Sequence, residues 1–159
     1  MFAGKLGELD FRQFLLSEYR HYITQHHNEL TKIFTLLLNP GNYPVLIHCN
    51  GGKDRTGTVT ALIHYSLGLP EKAIFEDYLL SGGYLKNFIR TTLIKIKVLS
   101  LFRADIHQLK PLLETRAEYL QEAINTMEQH FGSIEAYLDK LGMHHQRRHQ
   151  LSNLLRHPS

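Results

Sequence analysis

The sequence predicts an α/β fold that is mostly helical, with one clear buried strand leading into a glycine-bearing loop. Three observations carry this. The run Val45-Leu46-Ile47 is short, apolar and largely β-branched, as a strand covered on both faces requires. Directly after it stands Cys49-Asn50-Gly51-Gly52-Lys53-Asp54-Arg55-Thr56, and then a stretch with Val59, Leu62, Ile63 and Leu67 at helical spacing. On either side of this unit the apolar residues repeat with the period of a helix.

The elements follow in order. Phe11, Phe14, Leu15, Tyr19, Tyr22 and Ile23 predict a helix over residues 11–23, and Leu30, Ile33, Phe34, Leu37 and Leu38 a second one. Asn39-Pro40-Gly41-Asn42-Tyr43-Pro44 is a dense turn signal that ends it. The helix after the loop is apolar almost all round, which marks burial, and Gly68 with Pro70 stops it. Pro70 opens a helix expected to end near Gly82-Gly83. Residues 84–102 fit a helix through Leu85, Phe88, Ile89, Leu93 and Ile96, and a strand through the alternation at 94–98; length favours the helix. Leu120, Ala123, Ile124, Met127 and Phe131 define another helix, Ser133 caps one that ends at Gly142, and a basic helical tail closes the chain.

One buried strand cannot stand alone, because its backbone donors and acceptors need neighbours. Either the sheet is very small, or strands that precede residue 1 are missing, or another chain supplies them. The 159 residues read as one domain, 1–159, with the loop at 48–57, a candidate lid at 84–108 and a helical part at 110–157.

Composition narrows the function. The chain is 43% hydrophobic and 21% charged, which suits a globular protein and argues against disorder. A net charge of +3 suits an anionic substrate but is too small to point to nucleic acid. The single cysteine allows no internal disulfide and fits a reducing compartment. Met1-Phe2-Ala3-Gly4-Lys5-Leu6 has no basic start followed by an apolar core, so no signal peptide is expected. The most apolar run, Leu93 to Phe102, is too short to span a bilayer, and Lys95 and Lys97 interrupt it. A cytoplasmic protein is expected, with secretion by a non-classical route left open.

The loop carries the chemistry. A thiol at a helix N-terminus, ringed by backbone N–H groups, loses its proton more readily. Gly51 and Gly52 let the backbone turn those N–H groups inward around an anion. Arg55 offers a planar fork for two phosphate oxygens. Thr56 is placed to donate to the thiolate, and His48 to orient the loop through its ring nitrogens. Asn50 and Lys53 complete the expected phosphate-binding set. A Walker-type nucleotide loop fails here, because Gly52-Lys53 is followed by Asp54 and not by Ser or Thr. An isolated cysteine is more often an inert core residue; the joint pattern reverses that reading.

His48 to Gly57 resembles the signature HCxAGKDRTG of the bacterial and fungal tyrosine-phosphatase-like proteins, also described as atypical dual-specificity or lipid phosphatases. Glu76-Asp77-Tyr78-Leu79-Leu80-Ser81 resembles that family's E/ADYL-x-S stretch. Arg116 to Leu120 and Phe131 to Leu138 resemble its R-x-EYL and YGS-x-x-x-YL pair, and Ser17-Glu18-Tyr19-Arg20 a segment before the loop. Position 51 departs from the signature, with Gly where the family usually has Ala. The family also carries a further stretch before the part matched here, with most of the central sheet and an Asp-Leu-Arg segment. The resemblance therefore implies the C-terminal part of such a phosphatase.

It also implies a mechanism. Cys49 attacks phosphorus and forms a phosphocysteine that water hydrolyses, while Arg55 and the N–H groups from Asn50 to Arg55 hold the phosphate oxygens. No metal or other cofactor is called for. Asp54 is the candidate general acid, against a structural role in holding the loop; Asp10 and Glu18 have no motif support. Lys53 is expected at the loop rim, where related phosphoinositide phosphatases meet extra phosphates. Substrates would be phosphorylated proteins or phosphoinositides. Tyr78 and the 84–102 segment are expected to line or cover the pocket. A non-catalytic, truncated or degenerate phosphate-binding module is the alternative. In the tail, His145 and His149 have a metal-ligand spacing but no acidic or cysteine partner, which leaves a solvated basic face. Nothing in the sequence fixes the oligomeric state.

Overall fold

The computed structural model describes residues 10–101 and 105–156. The expectations on residues 1–6, and the parts of the predicted lid and tail at 102–104 and 157, lie outside the described residues.

Helix α1 (Phe11–Gln25) starts at Asp10, whose carboxylate accepts from the Gln13 N–H at 3.0 Å. Helix α2 (His27–Leu37) buries Leu30, Phe34 and Leu37 at i, i+4 and i+7. A 3₁₀ turn at Pro40–Asn42 follows. Helix α3 (Asp54–Ser66) leaves the loop and stops before Gly68, whose φ of +73° only glycine adopts freely. Then come α4 (Glu71–Leu99), α5 (Ile106–Leu113), α6 (Ala117–Phe131), α7 (Ile134–Lys140) and α8 (His145–Arg156). Ser133 caps α7 as expected, accepting from the Ala136 N–H at 3.0 Å.

The strand expectation is corrected. Among the described residues there is no strand, and Val45-Leu46-Ile47 belongs to no regular element. Its side chains are not covered on both faces either, since Leu46 is 84% exposed. The residues have strand chemistry, but a strand exists only where a neighbour accepts and donates along it. The break at Gly82-Gly83 is corrected too: α4 runs through both glycines for 29 residues. Gly82 is held there by a close approach, because a Cβ on it would sit 3.3 Å from Thr115 Cβ. The helical reading of 84–98 holds.

The buried side chains form one cluster. α1 packs along α6 and touches α5; α3 packs on α4, and α7 on α6 and α3. Tyr119, Leu120, Ile124 and Met127 of α6 are buried in the same cluster as Ile23 of α1 and Leu30 of α2. Tyr137 donates its hydroxyl to the carbonyl of Ile23 at 2.9 Å, which ties α7 to the end of α1. Exposed ion pairs Arg12–Glu118 and Arg20–Glu122 run along the α1–α6 seam. Tail residue Arg148 is not simply solvated: it donates to the carbonyls of Met143 and Glu135 and pairs with Asp139 at 2.7 Å. Among the described residues, no helix is long and apolar enough to cross a membrane.

Candidate active site

The run 45–49 delivers Cys49 to the first turn of α3. Between them the chain must reverse, and Gly52 does so at φ +61°. Gly51 faces open space, with nothing within 4 Å of the place a Cβ would take. An alanine there, as in the related signature, would fit without a clash.

Cys49 is half-buried at a cavity of about 720 Å³. His48, Asn50, Asp54, Arg55 and Thr56 line it from the loop. The opposite wall is α1, which contributes Phe14, Glu18, Tyr19, His21 and Tyr22. These positions share one helical face, the pattern that could have marked them in the sequence. Glu29 and Ile33 of α2 close the side.

Burial alone would raise the Cys49 thiol. The Thr56 side chain and the backbone N–H groups of Thr56, Lys53 and Gly51 act the other way and win, bringing it down to about 7. Thr56 Oγ1 is shut off from solvent and has no partner of full hydrogen-bond geometry, so its dipole is left for the sulfur. The Arg55 guanidinium is exposed at the cavity and, among the described residues, engages no carboxylate. Its charge reaches Tyr22, on whose phenol burial acts upward and Arg55 downward, with burial winning.

Asp54 is held from behind. Its Oδ1 accepts from the Tyr19 hydroxyl at 2.9 Å and lies 3.3 Å from Lys53 Nζ. The Tyr19 and Tyr78 hydroxyls are 2.7 Å apart. Burial raises both phenols well above their ordinary value, so each keeps its proton. With one proton on each oxygen and Tyr19 donating to Asp54, Tyr78 donates to Tyr19. Tyr78 therefore stands behind Tyr19 and does not line the cavity, as the sequence suggested it would.

The structure places Lys53 inside the protein and not at the rim. Its side chain is 6% exposed, and Nζ donates to the carbonyls of Leu112 and Glu114, both at 2.9 Å. It joins the loop to the end of α5. His48 is exposed, and among the described residues its ring makes no hydrogen bond that would orient the loop. Asp10 caps α1. Among the described residues, no group of three or more His, Cys, Asp or Glu side chains is arranged to hold a metal ion.

A family model described as the tyrosine phosphatase family matches residues 3–157. The chain belongs to the tyrosine phosphatase family. Among curated relatives, it is 32% identical over 143 residues to the triple specificity protein phosphatase PtpB of Mycobacterium tuberculosis, covering 82% of this chain and 50% of that protein. It is 35% identical over 98 residues to a putative tyrosine-protein phosphatase of Cupriavidus necator, covering 62% of this chain and 35% of the relative. An inositol diphosphatase of Saccharomyces cerevisiae matches at 45% over 49 residues, 31% of this chain and 17% of the yeast protein. The chain thus spans half or less of the length of each of these three relatives.

Proposed function

We propose that this tyrosine-phosphatase-family chain hydrolyses phosphate monoesters through a phosphocysteine. One observation carries the reading: the Cys49 thiol, lowered to about 7, sits in the same cavity as Arg55, which pairs with no carboxylate among the described residues. At neutral pH a large share of Cys49 is then thiolate, the form that attacks.

The steps assign one task to each residue. Cys49 Sγ forms a bond to phosphorus as the ester P–O bond breaks. Asp54 gives a proton to the departing oxygen through its second carboxylate oxygen, since Oδ1 is engaged by Tyr19 and Lys53. Water then attacks phosphorus, Asp54 takes back a proton, and Cys49 leaves as thiolate while phosphate is released. Arg55 binds two of the non-bridging oxygens, and the N–H groups of the loop from Asn50 to Arg55 meet the third. Thr56 steadies the thiolate in both steps. Lys53 supports the loop from below.

Phe14, Tyr19, Tyr22, Ile33 and Ile47 give the cavity an apolar and aromatic lining that suits an aryl phosphate. The substrate class we assign is therefore a phosphotyrosine-bearing protein first, with phosphoinositides second, a choice that a relative named as an inositol diphosphatase supports. A reducing, cytoplasmic setting suits a lone free thiol.

The test is hydrolysis of p-nitrophenyl phosphate in the presence of EDTA, on this chain and its Cys49→Ser variant, with circular dichroism on both. Turnover by the parent and none by a folded serine variant is expected. No turnover by a folded parent would leave a phosphate-binding module without catalysis.

A further inference from the structure

Only two of the 29 residues of α4, Ile74 and Tyr78, are buried, and both lie in its first third. Beyond Gly83 the helix carries large apolar side chains into solvent. Tyr84 is 85% exposed and Phe88 64%, and Ile94, Val98, Leu99 and Leu101 are exposed as well. Tyr84, Phe88, Ile94, Val98 and Leu99 stand at i, i+4, i+10, i+14 and i+15, so they share one exposed face about 140° wide, in which Asn87, Thr91 and Lys95 also lie. So much exposed apolar side chain on one helix face marks an interaction site.

The charge on the same segment has one sign. From residue 79 to 101 the sequence holds Lys86, Arg90, Lys95 and Lys97 and no Asp or Glu. Among the described residues none of these four forms an ion pair. Lys86, Arg90 and Lys97 also line a groove of about 660 Å³ between α4 and α5, with Ile89, Leu93 and Ile106 as its apolar floor.

We propose that residues 84–99 of α4 are an interfacial helix that docks the protein on a bilayer bearing anionic lipid. The apolar stripe enters the acyl boundary, Tyr84 and Phe88 sit at headgroup level, and the lysines reach outward along their stems to the anionic heads. A second copy of the chain fits this face poorly. A two-fold pairing of this face would set Lys86, Arg90, Lys95 and Lys97 against the same four cations, with no carboxylate from residues 79–101 to offset them. A flat anionic surface satisfies both the stripe and the charge. The inference does not depend on the catalytic reading.

The chain has no tryptophan, so a Phe88→Trp variant reports on this face alone. Phe88 is solvent-exposed, and the substitution leaves the core intact. Its emission is followed at physiological ionic strength with vesicles of phosphatidylcholine, with or without phosphatidylserine. A blue shift with the phosphatidylserine vesicles and none with phosphatidylcholine alone is expected. Adding Lys86→Gln and Arg90→Gln, with helix content checked by circular dichroism, should weaken vesicle binding roughly 30-fold. No shift with anionic vesicles overturns the proposal. A blue shift in buffer that grows with protein concentration overturns it in favour of a second copy. A blue shift in buffer at every concentration overturns it in favour of cover by the chain itself.

Discussion

The Tyr19 hydroxyl reaches across 35 positions of sequence to donate to Asp54 Oδ1 at 2.9 Å, and the Tyr78 hydroxyl stands 2.7 Å behind it. Tyr19→Phe removes both contacts and leaves a buried phenol on Tyr78 without an acceptor. The expected loss of stability is about 1–3 kcal/mol by urea unfolding. Turnover should fall about 5-fold, the equivalent of one hydrogen bond. Tyr78→Phe should cost less, because Tyr19 keeps Asp54, and the double variant should fall short of the sum. Additive effects would mean that the two phenols act independently.

If Asp54 protonates the leaving oxygen, the defect of Asp54→Asn must depend on what leaves. Turnover of phenyl phosphate, a poor leaving group, should fall by about 10²–10⁴. Turnover of p-nitrophenyl phosphate should fall much less, since that oxygen departs with little help. Equal losses on both substrates would reduce Asp54 to a residue that holds the loop.

Gly57 closes the first turn of the loop helix, where a Cβ would meet two ring carbons of Tyr78 at 2.8 Å. In an open helix Gly→Ala gains about 0.5–1 kcal/mol. Here overpacking against a buried ring costs about 1–3 kcal/mol, so the clash wins. Gly57→Ala should melt earlier than the parent and lose activity through Tyr78, Tyr19 and Asp54. Gly83→Ala, with nothing within 4 Å of its Cβ, should instead stabilise α4.

Because Cys49 is the sole thiol, alkylation by iodoacetamide followed by mass spectrometry reads one group. The rate should rise with pH through a midpoint of about 7 as the thiolate forms. Thr56→Val removes a side chain that favours the thiolate, so the midpoint should move up toward the ordinary thiol value of roughly 8.5. A midpoint unchanged by this substitution would assign the lowering to the backbone N–H groups alone.

The loop was legible because its chemistry is local: Cys49, the glycines, Arg55 and Thr56 announce themselves by spacing within one turn. The helix ends at Ser133 and Gly68 were legible for the same reason, since caps are read from single residues. Where the outcome depends on distant partners, the sequence misled. Val45-Leu46-Ile47 has strand composition, but pairing needs a neighbour that no local pattern supplies. Gly82-Gly83 looked like a stop, yet contact with Thr115, more than thirty positions on, favours a small residue inside a continuing helix. Lys53 looked like a surface cation because lysine usually is one. Two carbonyls from the end of α5 claim it, and their position was not written near it. The supporting role of Tyr19 had a signal in the Ser17-Glu18-Tyr19-Arg20 segment, which the resemblance marked without explaining.

The seam between α1 and α6 also bears on how the protein is made. One wall of the cavity comes from residues 14–22 and its thiol from Cys49, but α1 is fastened by Glu118, Glu122 and Tyr137. During vectorial synthesis the loop therefore leaves the ribosome long before the helices that clamp its opposite wall. Contacts that span more than a hundred positions are slow to close. Until α7 emerges, the nascent chain holds the glycine loop and Cys49 without their fastened opposite wall, so the cavity is completed late in synthesis.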